Sequence, residues 1–403
     1  MNNKQWDAVW MNATIVTLSH LGTIENGAIA VLDGKIAWLG AMDQLSELSP
    51  DVIQHDVRGR LITPGFIDCH THLIYAGNRA NEFELRLNGA SYSEIALKGG
   101  GIQSTVRATR AATIEQLLEQ SLPRVQSLMA NGVTTVEIKS GYGLDLATEI
   151  KILQVAKKIE EMLPITVKKT FLGAHTVPPE YRDKPGKYVD YICDEMIPRI
   201  VEEGLADAID VFCENIAFDL RATEQIFIAA KKYGLGIHVH AEQLSDMGGA
   251  ALAARYQALS ADHLEFLSES GVRSLAESNT VAVLLPGAFY FLREKQLPPV
   301  ALLRQYQVPM AIASDCNPGT SPVGSLLLML NMACVLFGFT PEEALYGVTL
   351  NAARALGIAT AYGSLEVGKN ADFLMWNAKD PVELCYYVGF NPLWGCVRTG
   401  EVL

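Results

Sequence analysis

Between residues 62 and 313, eight short apolar runs of β-like composition alternate with longer stretches of helical periodicity. The runs cover 62–69, 133–138, 165–172, 208–213, 236–240, 259–262, 281–285 and 310–313. The clearest helical stretches between them are 114–130, 146–162, 222–233, 244–256 and 267–277. Apolar strands bounded by amphipathic helices belong to a parallel sheet covered on both faces. Eight such units predict an α/β fold, a (β/α)8 barrel of the TIM type with insertions. An open doubly wound sheet is the competing arrangement. It is disfavoured because polar residues gather at the ends of several different strands, as the C-terminal rim of a barrel requires.

The two ends of the chain differ from this middle. All five tryptophans (Trp6, Trp10, Trp38, Trp376 and Trp394) lie outside residues 39–375. β-like patterns recur at 13–18, 28–31, 36–39, 371–376 and 396–402, and Asp33-Gly34 is a hairpin signal. Residues 1–61 and 359–403 are therefore expected to form one small β-sandwich from both termini, around a barrel of residues 62–358. Two insertions follow strands of that barrel. Residues 73–113 carry Gly99-Gly100-Gly101, and residues 175–200 carry Pro178, Pro179, Pro185 and Pro198. Without a Walker lysine or a G-x-G-x-x-G pattern, the triple glycine reads as a flexible loop rather than a phosphate cradle.

Composition narrows the function classes. With 403 residues, 49% hydrophobic and 19% charged, the chain can bury a large core and is not disordered. A net charge of −13 argues against nucleic-acid partners, while leaving room for one small anion at a local cationic pocket. The seven cysteines are odd in number and form no C-x-x-C pair, which suits reduced thiols in a cytoplasmic protein. The N-terminus lacks a basic stretch followed by an apolar core, and the most apolar segment, 325–339, is short and holds Asn331. Neither a signal peptide nor a membrane span is expected.

Of eight histidines, six lie at or beside expected strand ends. The first strand runs into Asp68-Cys69-His70-Thr71-His72. In extended backbone, residues two apart point to one side, so His70 and His72 can share a cation. A lone His-x-His pair is weak evidence; at the end of an apolar strand it is strong. The fifth strand supplies His238-Val239-His240, with His240 nearer the rim and His238 expected to hydrogen-bond lower in the barrel. The sixth ends in Asp262-His263 and the eighth in Ser314-Asp315. His70, His72, His240 and Asp315 make a three-imidazole, one-carboxylate set suited to a single Zn²⁺ or Fe²⁺ and to Lewis-acid hydrolysis. Each histidine alone could equally be a satisfied core residue; four strand ends coinciding by chance is far less common.

Pro64-Gly65-Phe66-Ile67-Asp68-Cys69-His70-Thr71-His72, with His240, His263 and Asp315 after later strands, resembles the amidohydrolase superfamily. The fourth strand has no lysine placed to bridge two metals, which resembles its one-metal members. Lys139-Ser140-Gly141-Tyr142-Gly143, Phe171-Leu172-Gly173-Ala174-His175 and Ser314-Asp315-Cys316-Asn317-Pro318-Gly319-Thr320-Ser321-Pro322 are similar to the imidazolonepropionase family within it. The resemblance runs over nearly the whole chain. It implies a cyclic-amide hydrolase of histidine degradation, acting on a small substrate with a flat polar ring and a carboxylate tail, and a homodimer.

The resemblance also implies roles. Arg79 would clamp the tail, and Tyr142, between two glycines, would donate its hydroxyl. Asn317, Gly319 and Thr320 would offer an amide and backbone N–H groups. Asp315 with His263 would take the proton from water, and His175 would stabilise the developing oxyanion. Ring deaminases of the superfamily typically carry glutamate at the position of Gln243. Glutamine cannot transfer that proton, so a guanine or cytosine deaminase is the less favoured alternative. Members of the imidazolonepropionase family that carry glutamate there differ from this chain, and Gln243 leaves open which group serves the ring nitrogen. A binding protein on the same scaffold would have no need to keep the four ligands.

Overall fold

A computed structural model describes residues 6–89 and 100–403. Gly99 of the triple glycine lies outside the described residues. The eight barrel strands are Phe66–Asp68, Val133–Lys139, Thr166–Ala174, Ala208–Cys213, Gly236–Ile237 continued by His240–Ala241, Ser260–His263, Val281–Leu284 and Met310–Ile312. Neighbours pair in parallel around the ring. A parallel bridge between Thr71 and Cys316 joins the ends of the eighth and first strands, where Asp315 N donates to His70 O at 3.0 Å.

Helices cover the outside of the ring, and their ends follow from the sequence. Thr113 and Gln116 form a reciprocal capping box at the start of Ile114–Met129. Asp145 caps Leu146–Met162 by accepting from Thr148 N at 2.8 Å. Leu220–Lys232 starts at the Asp219 cap and ends on Lys231 and Lys232, which face the negative end of the helix dipole.

Two strands depart from the expected pattern. The run 62–69 is not one strand. Leu61–Pro64 pairs with Phe373–Trp376 in the terminal sheet, and only Phe66–Asp68 enters the barrel. Gly65 makes the junction: a methyl group there would fall 2.2 Å from Thr134 Oγ1. The fifth strand is interrupted at His238-Val239, so its halves pair separately with Ala208–Cys213.

The termini form one hydrogen-bonded sheet of eight strands rather than two stacked sheets. Ala8–Val16 and Leu61–Pro64 pair in parallel at its centre and join the N-terminal hairpins to the C-terminal strands. The sheet curls over a shared core in which the Trp10 and Phe373 rings meet edge to face at 5.0 Å. None of the seven cysteines is bridged. Among the described residues no helix is long and apolar enough to cross a membrane.

Candidate active site

Beyond Asp68 the chain stays extended, so His70 and His72 project together over the barrel mouth, with Nε2 atoms 3.3 Å apart. The second half of the fifth strand brings His240 Nε2 to 3.4 Å from His72 Nε2. One nitrogen from each ring lies within 4.8 Å of the others, and all three side chains are buried. Asp315, at the end of the eighth strand, sets Oδ1 3.5 Å from Nε2 of both His70 and His72. The His263 ring lies 5.3 Å from that of His240, and its Nδ1 is buried with no partner among the described residues.

The far sides of two of these imidazoles explain their orientation. His70 Nδ1 meets Asp262 Oδ2 at 2.6 Å, and His240 Nδ1 meets Asp210 Oδ1 at 3.1 Å. Carboxylates accept, so both rings carry their proton on Nδ1 and turn an Nε2 lone pair inward. Burial, reinforced by the Lys139 charge beside His70 and by His175 beside His72, holds these two imidazoles well below their ordinary pKa. They are therefore neutral, the form that ligates. His72 Nδ1 is buried without a partner among the described residues, and a proton on His72 Nε2 could satisfy only one of the two lone pairs it faces at 3.3 and 3.4 Å, so the three imidazoles together suit a shared cation. Tetrahedral zinc–nitrogen bonds of the usual length separate neighbouring ligand atoms by about 3.3 Å. The donor set fits a single divalent metal ion.

Beneath the histidines lies a buried polar layer. Lys139 Nζ is 2.7 Å from Glu137 Oε1, 2.8 Å from Asp210 Oδ2 and 3.7 Å from Asp262 Oδ2. Burial alone would lower the lysine pKa, but the three carboxylates overcome it and raise it. Burial pushes the Glu137 carboxyl up to about 7. His238 hydrogen-bonds Ser260 Oγ at 2.8 Å, within the barrel as the sequence suggested. Asp68 accepts from Ser314 N and Oγ at 3.0 and 2.5 Å, which ties the first strand to the eighth beside Asp315.

The second and third strands build one wall of the mouth. Gly141 has φ +108, and a methyl there would fall 2.9 Å from both His175 Nδ1 and Leu172 O. This position therefore requires glycine. The Glu149 carboxylate clamps the loop by accepting from the N–H groups of Gly141, Gly143 and Leu144 at 2.9, 2.7 and 2.7 Å. Tyr142 is thereby held 5.4 Å, ring to ring, from His175, which itself stacks on His72 at 5.4 Å. Burial and the neighbouring His240 push His175 down to about 4. Its Nδ1 lies 3.1 Å from Gly141 O, so that nitrogen carries the proton and Nε2 presents a lone pair. The expected donation from His175 to an oxyanion does not suit this tautomer. A ring N–H is the better partner.

The loop after Asp315 also differs from expectation. Asn317 Oδ1 already accepts from Gly319 N and Thr320 N at 2.8 and 2.7 Å, and its Nδ2 donates to Asp315 O at 2.7 Å. These groups brace the loop instead of facing outward as free donors. Arg79 Nε pairs with Glu82 Oε2 at 2.8 Å, and its Nη1 lies where a methyl on Gly319 would sit, 2.1 Å away. The guanidinium thus rests against the Asn317–Thr320 loop, and only glycine leaves it room. Gln243 is half-buried just past the fifth strand. Glu242 caps the helix Gly249–Arg255 by accepting from Gly249 N and Ala250 N at 2.7 and 2.9 Å, a structural role.

Sequence reasoning missed Glu137, Lys139, Asp210, Asp262 and Glu149 as parts of this site. For the four strand residues the available signal was charge within short apolar runs, as in Val133–Lys139; Glu149, on the helix Leu146–Met162, gave none.

A family model described as the amidohydrolase family matches residues 61–393. An imidazolonepropionase from Shewanella baltica (strain OS185) is 58% identical, the alignment covering 99% of each chain. One from Colwellia psychrerythraea (strain 34H / ATCC BAA-681) is 54% identical over 99% of this chain and 97% of its own. The chain belongs to the imidazolonepropionase family of amidohydrolases. The amidohydrolase match takes in the barrel and the two strands of the terminal sheet, Leu61–Pro64 and Phe373–Trp376, that pair beside it. More distant amidohydrolase-like folds occur among solved structures. An adenosine deaminase from Xanthomonas campestris with bound zinc is 18% identical, with a TM-score of 0.72 over 98% of this chain and 92% of that one. A 5-methylcytosine deaminase from Klebsiella pneumoniae liganded with phosphonocytosine is 20% identical, with a TM-score of 0.73 over 98% and 97%. These two likenesses concern the fold alone.

Proposed function

We propose that this chain hydrolyses the cyclic amide bond of 4-imidazolone-5-propanoate, giving N-formimidoyl-L-glutamate in histidine degradation. The observation that carries the reading is identity of 54–58% over nearly the full length with relatives named imidazolonepropionase. His70, His72, His240 and Asp315 would hold one divalent ion, zinc or iron, since imidazole and carboxylate donors suit both. Such an ion supplies Lewis acidity, lowering the pKa of water and polarising the ring carbonyl.

The remaining chemistry belongs to the side chains. Asp315, buried at 2% exposure, accepts the proton of the attacking water. His263, 5.3 Å ring to ring from His240, fixes the orientation of this step or shuttles the proton onward. His175 Nε2 accepts from a ring N–H and so orients the ring, with Tyr142 beside it. As the tetrahedral carbon collapses, the C–N bond breaks and the departing nitrogen takes the proton. One water is added across one bond. The Gln243 amide can hydrogen-bond the ring but cannot transfer its proton. Arg79, braced on the Asn317–Gly319–Thr320 loop, binds the carboxylate tail.

Arg79→Met should raise KM roughly 10–100-fold with kcat little changed, because tail binding is shared by ground and transition states. Steady-state kinetics on the full substrate tests this, and an unaltered KM removes the clamp. For the reaction itself, metal-analysed protein is incubated with 4-imidazolone-5-propanoate while the ring absorbance is followed. Loss of absorbance with formation of formimidoyl-glutamate supports the reading. Ammonia release from guanine or cytosine, with the imidazolone untouched, favours a deaminase.

A cytoplasmic setting is part of the proposal and is supported by the unbridged cysteines. So are a homodimeric assembly and the division into a terminal unit of residues 1–61 and 359–403 and a barrel of residues 62–358. Pairing of Leu61–Pro64 with Phe373–Trp376 supports a unit built from both ends and carries its edge on to Pro64, past residue 61.

A further inference from the structure

The buried lysine of the second strand takes no part in the chemistry above, yet it is linked to two of the three imidazoles through one intermediary each. Lys139 Nζ touches Asp210 Oδ2 at 2.8 Å, and Asp210 Oδ1 holds His240 Nδ1 at 3.1 Å. Lys139 Nζ also lies 3.7 Å from Asp262 Oδ2, the oxygen that holds His70 Nδ1 at 2.6 Å. The other oxygen of Asp262 is taken by Ser260 Oγ at 2.6 Å. Lys139 is 0% exposed, so no water replaces these partners.

We propose that Lys139 is a positioning residue for the metal site: its ammonium fixes the rotation of Asp210 and, by its charge, backs the Asp262 carboxylate that Ser260 already anchors, and so helps to aim the Nε2 atoms of His240 and His70 at one point. The inference rests on the metal reading given above and names a residue that reading does not use. Both Asp210 oxygens lie 3.1 Å from His240 Nδ1, so on that contact alone the carboxylate can still rock about its own bond. A second anchor on Asp210 removes that freedom, and the two anchors converge on a single nitrogen contributed by a different strand. Outer partners of this kind typically set metal affinity by 10–100-fold. The competing view is that Lys139 only neutralises Glu137, which it meets at 2.7 Å.

The test is zinc affinity by chelator competition, with circular dichroism and thermal melting to verify folding. Lys139→Met keeps all but the last atom of the unbranched side chain and removes its charge. Glu137→Gln/Lys139→Met also removes the neighbouring charge while keeping an acceptor for Thr71 N, which Glu137 Oε2 now meets at 3.3 Å. Both variants should bind zinc roughly 10–100-fold more weakly than the unsubstituted protein, with KM at saturating zinc nearly unchanged. Unsubstituted affinity in either folded variant overturns the inference; recovery in the double variant alone assigns Lys139 to Glu137. Failure of the unsubstituted protein to bind zinc would count against the metal reading instead. Should neither variant fold, ¹⁵N spectra of the zinc-loaded protein decide. A pinned Lys139 ammonium exchanges slowly with water, and fast exchange overturns the proposal.

Discussion

Exchange of Asp315 for asparagine should lower kcat roughly 10²–10⁴-fold, the usual worth of a general base, while metal content and KM change little. Asparagine has the same shape and still offers an oxygen where Oδ1 stands 3.5 Å from Nε2 of His70 and of His72. It cannot accept a proton from water. Burial raises the Asp315 carboxyl well above the ordinary range, so its ionised form is a stronger base than a solvated carboxylate. Metal analysis and kinetics on the same preparation separate the base from the ligand. Full turnover with full metal content would remove Asp315 from proton transfer.

His240→Ala should cost more metal affinity than the roughly 10–100-fold attached to an outer partner, because it deletes a ligand. Two effects add. One of three converging nitrogens disappears, and Asp210 keeps only Lys139 as a partner for its buried charge. After dialysis the variant should retain far less than one ion per chain, and activity should fall with the metal. A variant that still holds one ion tightly would show that the imidazoles of His70 and His72 suffice without His240.

The barrel and its rim were legible because both rest on short-range rules. Strand and helix periods alternate, and a pair of histidines two apart in extended chain must share a side. The helix expected at 146–162 coincides with Leu146–Met162, whose start is written in its Asp145 cap. What escaped the sequence depends on strands that meet only after folding. The run 62–69 looks continuous because Leu61–Pro64 and Phe66–Asp68 are equally apolar. Only the two different neighbours reveal that Gly65 separates two sheets. Asp210, Asp262 and Lys139 come from three different strands, and nothing in the sequence shows that ring closure stacks them beneath the histidines. The position of His175 alone points to donation toward an oxyanion, but its tautomer follows from Gly141 O, a neighbour 34 residues away.

Anomalous diffraction from crystals of the metal-loaded protein, collected on both sides of the zinc and iron edges, tests the central claim most directly. The account predicts one peak per chain, within about 2.0–2.2 Å of Nε2 of His70, His72 and His240 and of an Asp315 oxygen. A peak elsewhere, a second peak of equal height, or none in crystals of fully active protein would contradict it.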